Sequence, residues 1–198
     1  MSEKIELFDP DGNRLYLNQD ERKSFLDTAL KGDRYVRTFC TTLFYTGCRI
    51  SEALELTPRR IDLSSNLVIF ESLKKRRRGI FRAVPVPTEY IDTMNMVHAI
   101  RDAQNGQKKA VLDQPLWEWS RTTAWRRIKE VMDSSGIQPG PHLCPKGLRH
   151  GYGIHAINEK VPLNMLQKWM GHSDLKTTSI YANAVGEEQS KIASRMWS

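Results

Sequence analysis

Five side chains and one run of charge stand out for the chemistry they could perform. Arg49 lies in Thr46-Gly47-Cys48-Arg49-Ile50-Ser51-Glu52-Ala53-Leu54, at a junction between two helical patterns. Lys146 and Arg149 are three residues apart, so they project from one helical face. His172 follows Met170-Gly171 at a helix end, and Tyr181 comes nine residues later. Lys74, Lys75, Arg76, Arg77, Arg78 and Arg82 place six positive charges and no negative one between positions 74 and 82. Scattered cations with one tyrosine suit the holding of an anion. Other familiar chemistries are missing: there is no Walker loop, no G-x-G-x-x-G and no H-E-x-x-H. His142, Cys144, His150, His155 and His172 lack zinc-ligand spacing, so no metal is expected.

Composition says what kind of anion. Thirty Lys and Arg against 23 Asp and Glu give a net charge of +7 and a pI near 9.4. A pI above about 9 is a footprint of nucleic-acid binding. The local +6 of the basic run nearly equals that net charge, which says where the anionic partner is drawn. The 198 residues, 39% hydrophobic, suffice for one compact unit. No run of 18 apolar residues exists, which excludes a membrane-spanning helix, and the N-terminus has no apolar signal region. Cys40, Cys48 and Cys144 are too few and too odd for a disulfide scaffold, and fit a reducing cytoplasm.

The elements that must position these residues read as mostly helical with a small antiparallel sheet. Asn18 and Glu21 are spaced as a capping box for a helix that buries Phe25, Leu26, Ala29 and Leu30 and closes at Gly32. Val36, Phe39, Cys40, Leu43 and Phe44 form the stripe of a second helix, stopping at Gly47. A short helix runs from Ile50 to Leu56. The period then changes: Asn66–Glu71 and Ile80–Val86 read as a β-hairpin with a long basic tip, Pro85 marking an edge. Thr88–Arg101 reads as helix, and Asp102–Lys109 as loop. Ser120 caps a helix with Ala124, Trp125, Ile128, Val131 and Met132 inward, ending at Gly136. Helices starting near Lys146 and at Pro162 follow, the latter ending at Gly171. A turn-helix then carries Tyr181, and residues 187–197 could form a last helix. Trp117, Trp119, Trp125 and Trp169 read as packing residues.

These motifs together resemble the tyrosine recombinases, or phage integrases. Thr46-Gly47-Cys48-Arg49-Ile50-Ser51-Glu52-Ala53-Leu54 is similar to their first arginine box. Lys146-Gly147-Leu148-Arg149-His150 resembles their H/K-x-x-R-H box, and Met170-Gly171-His172-Ser173 through Thr177, Thr178 and Tyr181 resembles their third. The basic hairpin matches the segment carrying their catalytic lysine. Singly, each residue has an ordinary reading as a solvated cation, a helix-end histidine or a packing tyrosine. Their common order across residues 18 to 185 does not.

The resemblance implies that Tyr181 attacks a phosphodiester, leaving a 3′-phosphotyrosine and a 5′-hydroxyl. Charge grows on the non-bridging oxygens in the transition state. Arg49 and Arg149 would hold them with paired donors that lysine cannot reproduce, and His172 would add a hydrogen bond. Lys74, with Lys75 second, would protonate the leaving 5′-oxygen. Lys146 stands where most relatives have His, and would be either the base or a phosphate ligand. Lys75, Arg76, Arg77, Arg78 and Arg82 would bind DNA. No cofactor is implied. The partner is double-stranded DNA, with four copies on two duplexes. Residues 1–198 would be one catalytic domain, its core at about 18–185 and its segment 186–198 exchanged between subunits. The N-terminal core-binding domain usual in the family would be absent, because the first catalytic helix begins near residue 19. Rival readings are a type IB topoisomerase, which shares the chemistry, and a non-catalytic DNA-binding module, which forms no covalent adduct.

Overall fold

The computed structural model describes residues 6–71, 79–106, 108–183, 190 and 193–197. Helix α1 (Gln19–Lys31) starts at the expected capping box: the Asn18 side chain accepts from the Glu21 N–H, and the Glu21 carboxylate accepts from the Asn18 N–H. Its buried face differs from the expected one. Arg22, Phe25 and Ala29 turn inward while Leu30 is exposed. Helix α2 (Arg34–Thr46) ends at Gly47, whose φ of 60° is left-handed. Helix α3 (Ile50–Leu54) stops short of Leu56 and is followed by a 3₁₀ turn at Pro58–Arg60.

The hairpin is part of a three-stranded antiparallel sheet, in the order β1 (Ile61–Asp62), β2 (Leu67–Glu71), β3 (Phe81–Pro85). Two residues are too few for β1 to show a period. Leu67 pairs with Pro85 and Phe70 with Arg82, and Pro85 does lie on an edge strand. Val68, Phe70, Val84 and Arg82 form the buried face. The hairpin tip, with Lys74, Lys75, Arg76, Arg77 and Arg78, falls outside the described residues.

Helix α4 (Thr88–His98) breaks at Ala99, a left-handed residue with φ 48°. Much of the segment expected as loop is helical instead: α5 (Ile100–Gly106) takes in residues 102–106, and α6 (Lys109–Leu112) begins at its last residue. Ile100 is the one buried residue of α5 and α6 has none, so neither writes an apolar stripe. Tertiary hydrogen bonds from the Gln104 amide to the Pro58 and Ile61 carbonyls hold α5. Helix α7 (Arg121–Asp133) is capped by Ser120 as expected. Trp125, expected inward, is 48% exposed. It lies about 100° around the helix from Ala124, off the stripe that Ala124, Ile128, Val131 and Met132 complete.

Helix α8 (Pro145–Asn158) is buried along both sides, between the main core and a second cluster containing Leu7, Tyr16, Leu166, Met170 and Tyr181. Its glycines let neighbours approach. A Cβ on Gly147 would overlap the His142 carbonyl, and one on Gly151 the Leu17 carbonyl. Helices α9 (Leu163–Met170) and α10 (Leu175–Ser179) and a 3₁₀ turn at Ile180–Asn183 complete the second cluster. Among the described residues no helix is long and apolar enough to cross a membrane. Most of the expected last helix lies outside the described residues; Met196 and Trp197 are exposed.

Candidate active site

Three chain crossings meet at Arg149. Its position on α8 is buried, at 7% exposure, and its fork is filled from two sides. Nη1 donates to the Gly47 carbonyl at 2.6 Å, and Nη2 donates to the Met170 carbonyl at 2.8 Å. Both acceptors sit at helix C-termini, where carbonyls lack intrahelical partners. Gly47 is doubly constrained here, because it is left-handed and a Cβ on it would overlap the Tyr152 ring. Burial, then repulsion from Arg49, lowers the Arg149 pKa to about 10, which still leaves it charged at neutral pH.

His172 faces the same guanidinium, Nε2 to Nη2, at 3.0 Å. A guanidinium can only donate, so Nε2 accepts and the ring proton sits on Nδ1. Nδ1 then donates to Thr178 Oγ1 at 2.9 Å. Burial, reinforced by Arg149 and Arg49, pushes the imidazole down to about 3, so His172 is neutral.

Glu52 gathers the cations. On the first turn of α3 its carboxylate accepts from the Arg49 N–H at 2.8 Å and pairs with Arg49 Nη1 at 3.2 Å. Arg82 Nη2 reaches it at 2.8 Å, and Arg149 Nη1 stands 4.0 Å away. Burial would raise this carboxyl, but Arg82 and Arg149 hold it below its ordinary value. Three arginines around one carboxylate leave a net charge of +2. Arg49 is the one with its side chain open to solvent, at 44%.

Tyr181 adjoins this cluster from the 3₁₀ turn. Its ring lies nearly parallel to His172, at 18° and 6.2 Å between centroids, and its hydroxyl pairs with His150 Nδ1 at 3.0 Å. It is 0% exposed, and a Cβ on Gly153 would come within 2.7 Å of its ring. Burial raises the phenol to about 12 against the pull of Arg149 and Arg49. Burial, Lys146 and Arg149 lower His150 to about 3. The two shifts run in opposite directions, the phenol up and the imidazole down, so both groups are neutral at pH 7 and the seated tyrosine keeps its proton.

Arg49, Arg149, His172 and Tyr181 are therefore one constellation. Lys146 is exposed on the first turn of α8, while Arg149 on the same helix is buried. Arg82 differs from its expected place among the DNA-contacting cations: it is 8% exposed, with Nε donating to the Trp169 carbonyl at 2.9 Å and Nη2 held by Glu52. The roles of Glu52, Arg82, His150 and Thr178 were not apparent from sequence. Glu52 has the clearest signal, three residues after Arg49 on one helical face. The carbonyl acceptors have none. A groove of about 780 Å³ beside Tyr35, His98, Trp117 and Trp119 shares no residue with the site.

The phage integrase family matches residues 15–188. The tyrosine recombinase XerD of Vibrio vulnificus is 32% identical over 157 residues, 77% of this chain and 50% of the relative. The chain thus spans about half the length of that curated relative. The crystal structure of XerA recombinase superposes with a TM-score of 0.74 at 21% identity, covering 91% of this chain and 64% of that one. XerH site-specific recombinase, in a pre-cleavage complex with its difH substrate, gives 0.69 at 17% identity, covering 96% and 60%. The fold is that of a tyrosine recombinase catalytic domain. With its motifs gathered around Arg149 and the match running through both arginine boxes to Tyr181, the chain belongs to the phage integrase family.

Proposed function

We propose that this chain cuts and rejoins DNA strands as a site-specific recombinase, through a 3′-phosphotyrosine intermediate formed by Tyr181. The observation that carries the reading is the +2 cluster of Arg49, Arg82 and Arg149 around Glu52, with His172 and Tyr181 against it. A bound phosphodiester brings one negative charge, and its pentacoordinate transition state nearly two. The site therefore matches the transition state better than the ground state, which is the condition for catalysis.

Tyr181 Oη bonds to phosphorus as the bond to the 5′-oxygen breaks. The proton that the tyrosine loses balances the one that the 5′-oxygen gains, supplied by Lys74 or, second, Lys75. Rejoining reverses the step with another strand's 5′-hydroxyl. The seated, protonated Tyr181 must leave its place on His150 before it can attack. The Tyr181 proton passes to Lys146 where that amine serves as the base, or to water where Lys146 serves as a phosphate ligand. The Tn1549 transposon integrase, a neighbour in fold, is seen in complex with transposon right end DNA, which supports DNA as the partner. The same reading has residues 18–185 as catalytic core and four copies on two duplexes, with residues 186–198 exchanged.

The test uses a pool of nicked duplexes with randomised centres, resolved by denaturing electrophoresis. A covalent protein–DNA adduct should form and be absent from Tyr181→Phe. No adduct across the pool, or one that survives Tyr181→Phe, overturns the reading.

A further inference from the structure

Arg82 occupies a place in β3 that the strand's alternation reserves for an apolar side chain. It shares the buried face with Val84 and pairs across the sheet with Phe70, over whose ring its guanidinium lies at 4.7 Å. It cannot reach a phosphate without abandoning Glu52 and the Trp169 carbonyl. Fold stability alone gives no reason for a charge there, because a buried ion pair is commonly matched or exceeded by apolar residues of similar volume.

What Arg82 does hold is Glu52. It occupies Oε2 at 2.8 Å, the same oxygen that Arg149 Nη1 approaches only to 4.0 Å. Without Arg82, Oε2 keeps the Arg49 N–H, the Arg49 guanidinium stays on Oε1, and Arg149 is the guanidinium left to close upon Oε2. Arg149 would turn from the Gly47 and Met170 carbonyls and from His172 into a direct pair with Glu52. Its fork would then be neutralised and misdirected. The second bond of Arg82, to the Trp169 carbonyl, ties the same carboxylate to the end of α9, one turn before His172. Gly171 leaves room for this, since a Cβ there would stand 3.0 Å from the Arg82 guanidinium.

We infer that Arg82 is a positioning residue: by holding Glu52 it keeps Arg149 on the Gly47 and Met170 carbonyls beside His172, the orientation from which its remaining N–H groups meet the scissile phosphate. This rests on the recombinase reading, and its test separates the two. Arg82→Met should still fold, with a lower thermal midpoint, because it leaves the Glu52 carboxylate and the Trp169 carbonyl each without one partner. On a random 30-bp duplex its slope of log K against log[salt] should stay as in the wild type, whereas loss of a phosphate contact flattens it by about 0.9. Adduct formation on the nicked pool should fall on the order of 10²-fold, the usual cost of one preorganised donor. A 5′-bridging sulfur substrate, which needs no general acid, should not rescue it. Arg82→Met combined with Glu52→Gln should recover at least tenfold over Arg82→Met, since the competing charge is gone. A flattened slope, rescue by sulfur, or a double variant no better than the single overturns the inference.

Long-range ¹H–¹⁵N spectra of the histidine rings decide it without any chemistry. His172 Nε2 should report an accepted hydrogen bond in the wild type and its loss in Arg82→Met; an unmoved resonance overturns the inference. A wild type that forms no Tyr181-dependent adduct overturns the recombinase reading instead, and leaves the spectra to judge Arg82.

Discussion

Under the proposed function Tyr181 and Arg149 carry opposite burdens, one reacting and the other holding still. Tyr181→Phe removes one hydroxyl from a packed ring, so it should keep DNA affinity while losing the adduct; retained cleavage would mean another nucleophile. Arg149→Lys keeps the charge but cannot span the Gly47 and Met170 carbonyls with a planar fork. Cleavage by single-turnover assay should drop roughly 10²-fold or more with little change in binding, and near-normal cleavage would remove Arg149 from the site. The residues that the fold gathers at Arg149 were legible in the sequence because each sits in a short motif. The residues that orient them were not. Glu52 meets Arg82 across 30 positions and Trp169 meets Arg82 across 87, and no local spacing encodes either meeting.

Elements with a strong periodic face were also legible: α1, α2, α7 and the two longer strands begin and end close to where the pattern places them. Those held by a few tertiary hydrogen bonds, such as α5, were not. The strands of the hairpin are periodic, and the sequence between them carries five consecutive cations, Lys74 to Arg78. Replacing Arg76, Arg77 and Arg78 with Ala should flatten the salt dependence of DNA binding by about 2 to 3 units if all three touch phosphates. Lys74→Ala should flatten it by at most about 1, yet nearly stop cleavage. A 5′-bridging sulfur should restore cleavage to Lys74→Ala but not to Arg149→Ala; if it restores Lys75→Ala instead, Lys75 is the acid. The joint between α4 and α5 makes a separate prediction. Ala99 is left-handed at φ 48° and ψ 42°, a conformation that glycine adopts freely. Ala99→Gly should raise stability by roughly 0.5–1 kcal/mol, the relieved strain exceeding glycine's entropy cost. Thermal unfolding will show it, and a lower midpoint would refute it.

The whole molecule keeps three histidines neutral by burial. His150 and His172 are pushed down to about 3 and His98 to about 4, against about 6.5 in an unfolded chain. Between those limits the unfolded chain binds protons that the folded one refuses. Stability is therefore complete above about pH 6.5 and should fall as the pH drops from there toward 4, with roughly one proton taken up per histidine on unfolding. A midpoint of thermal unfolding that stays flat from pH 7.5 to 4.5 would contradict this. The seat of Tyr181 has a consequence in time. If Tyr181 is the nucleophile, a chain that seats it behind Gly153 and His150 would meet DNA many times without nicking it. The observed rate of cutting is then the chemical rate multiplied by the fraction of molecules with the ring swung out, and each 1.4 kcal/mol by which the seat is preferred slows cutting about tenfold. Under the proposed function, whatever loosens that seat would set the pace of strand exchange, even if it never touches DNA.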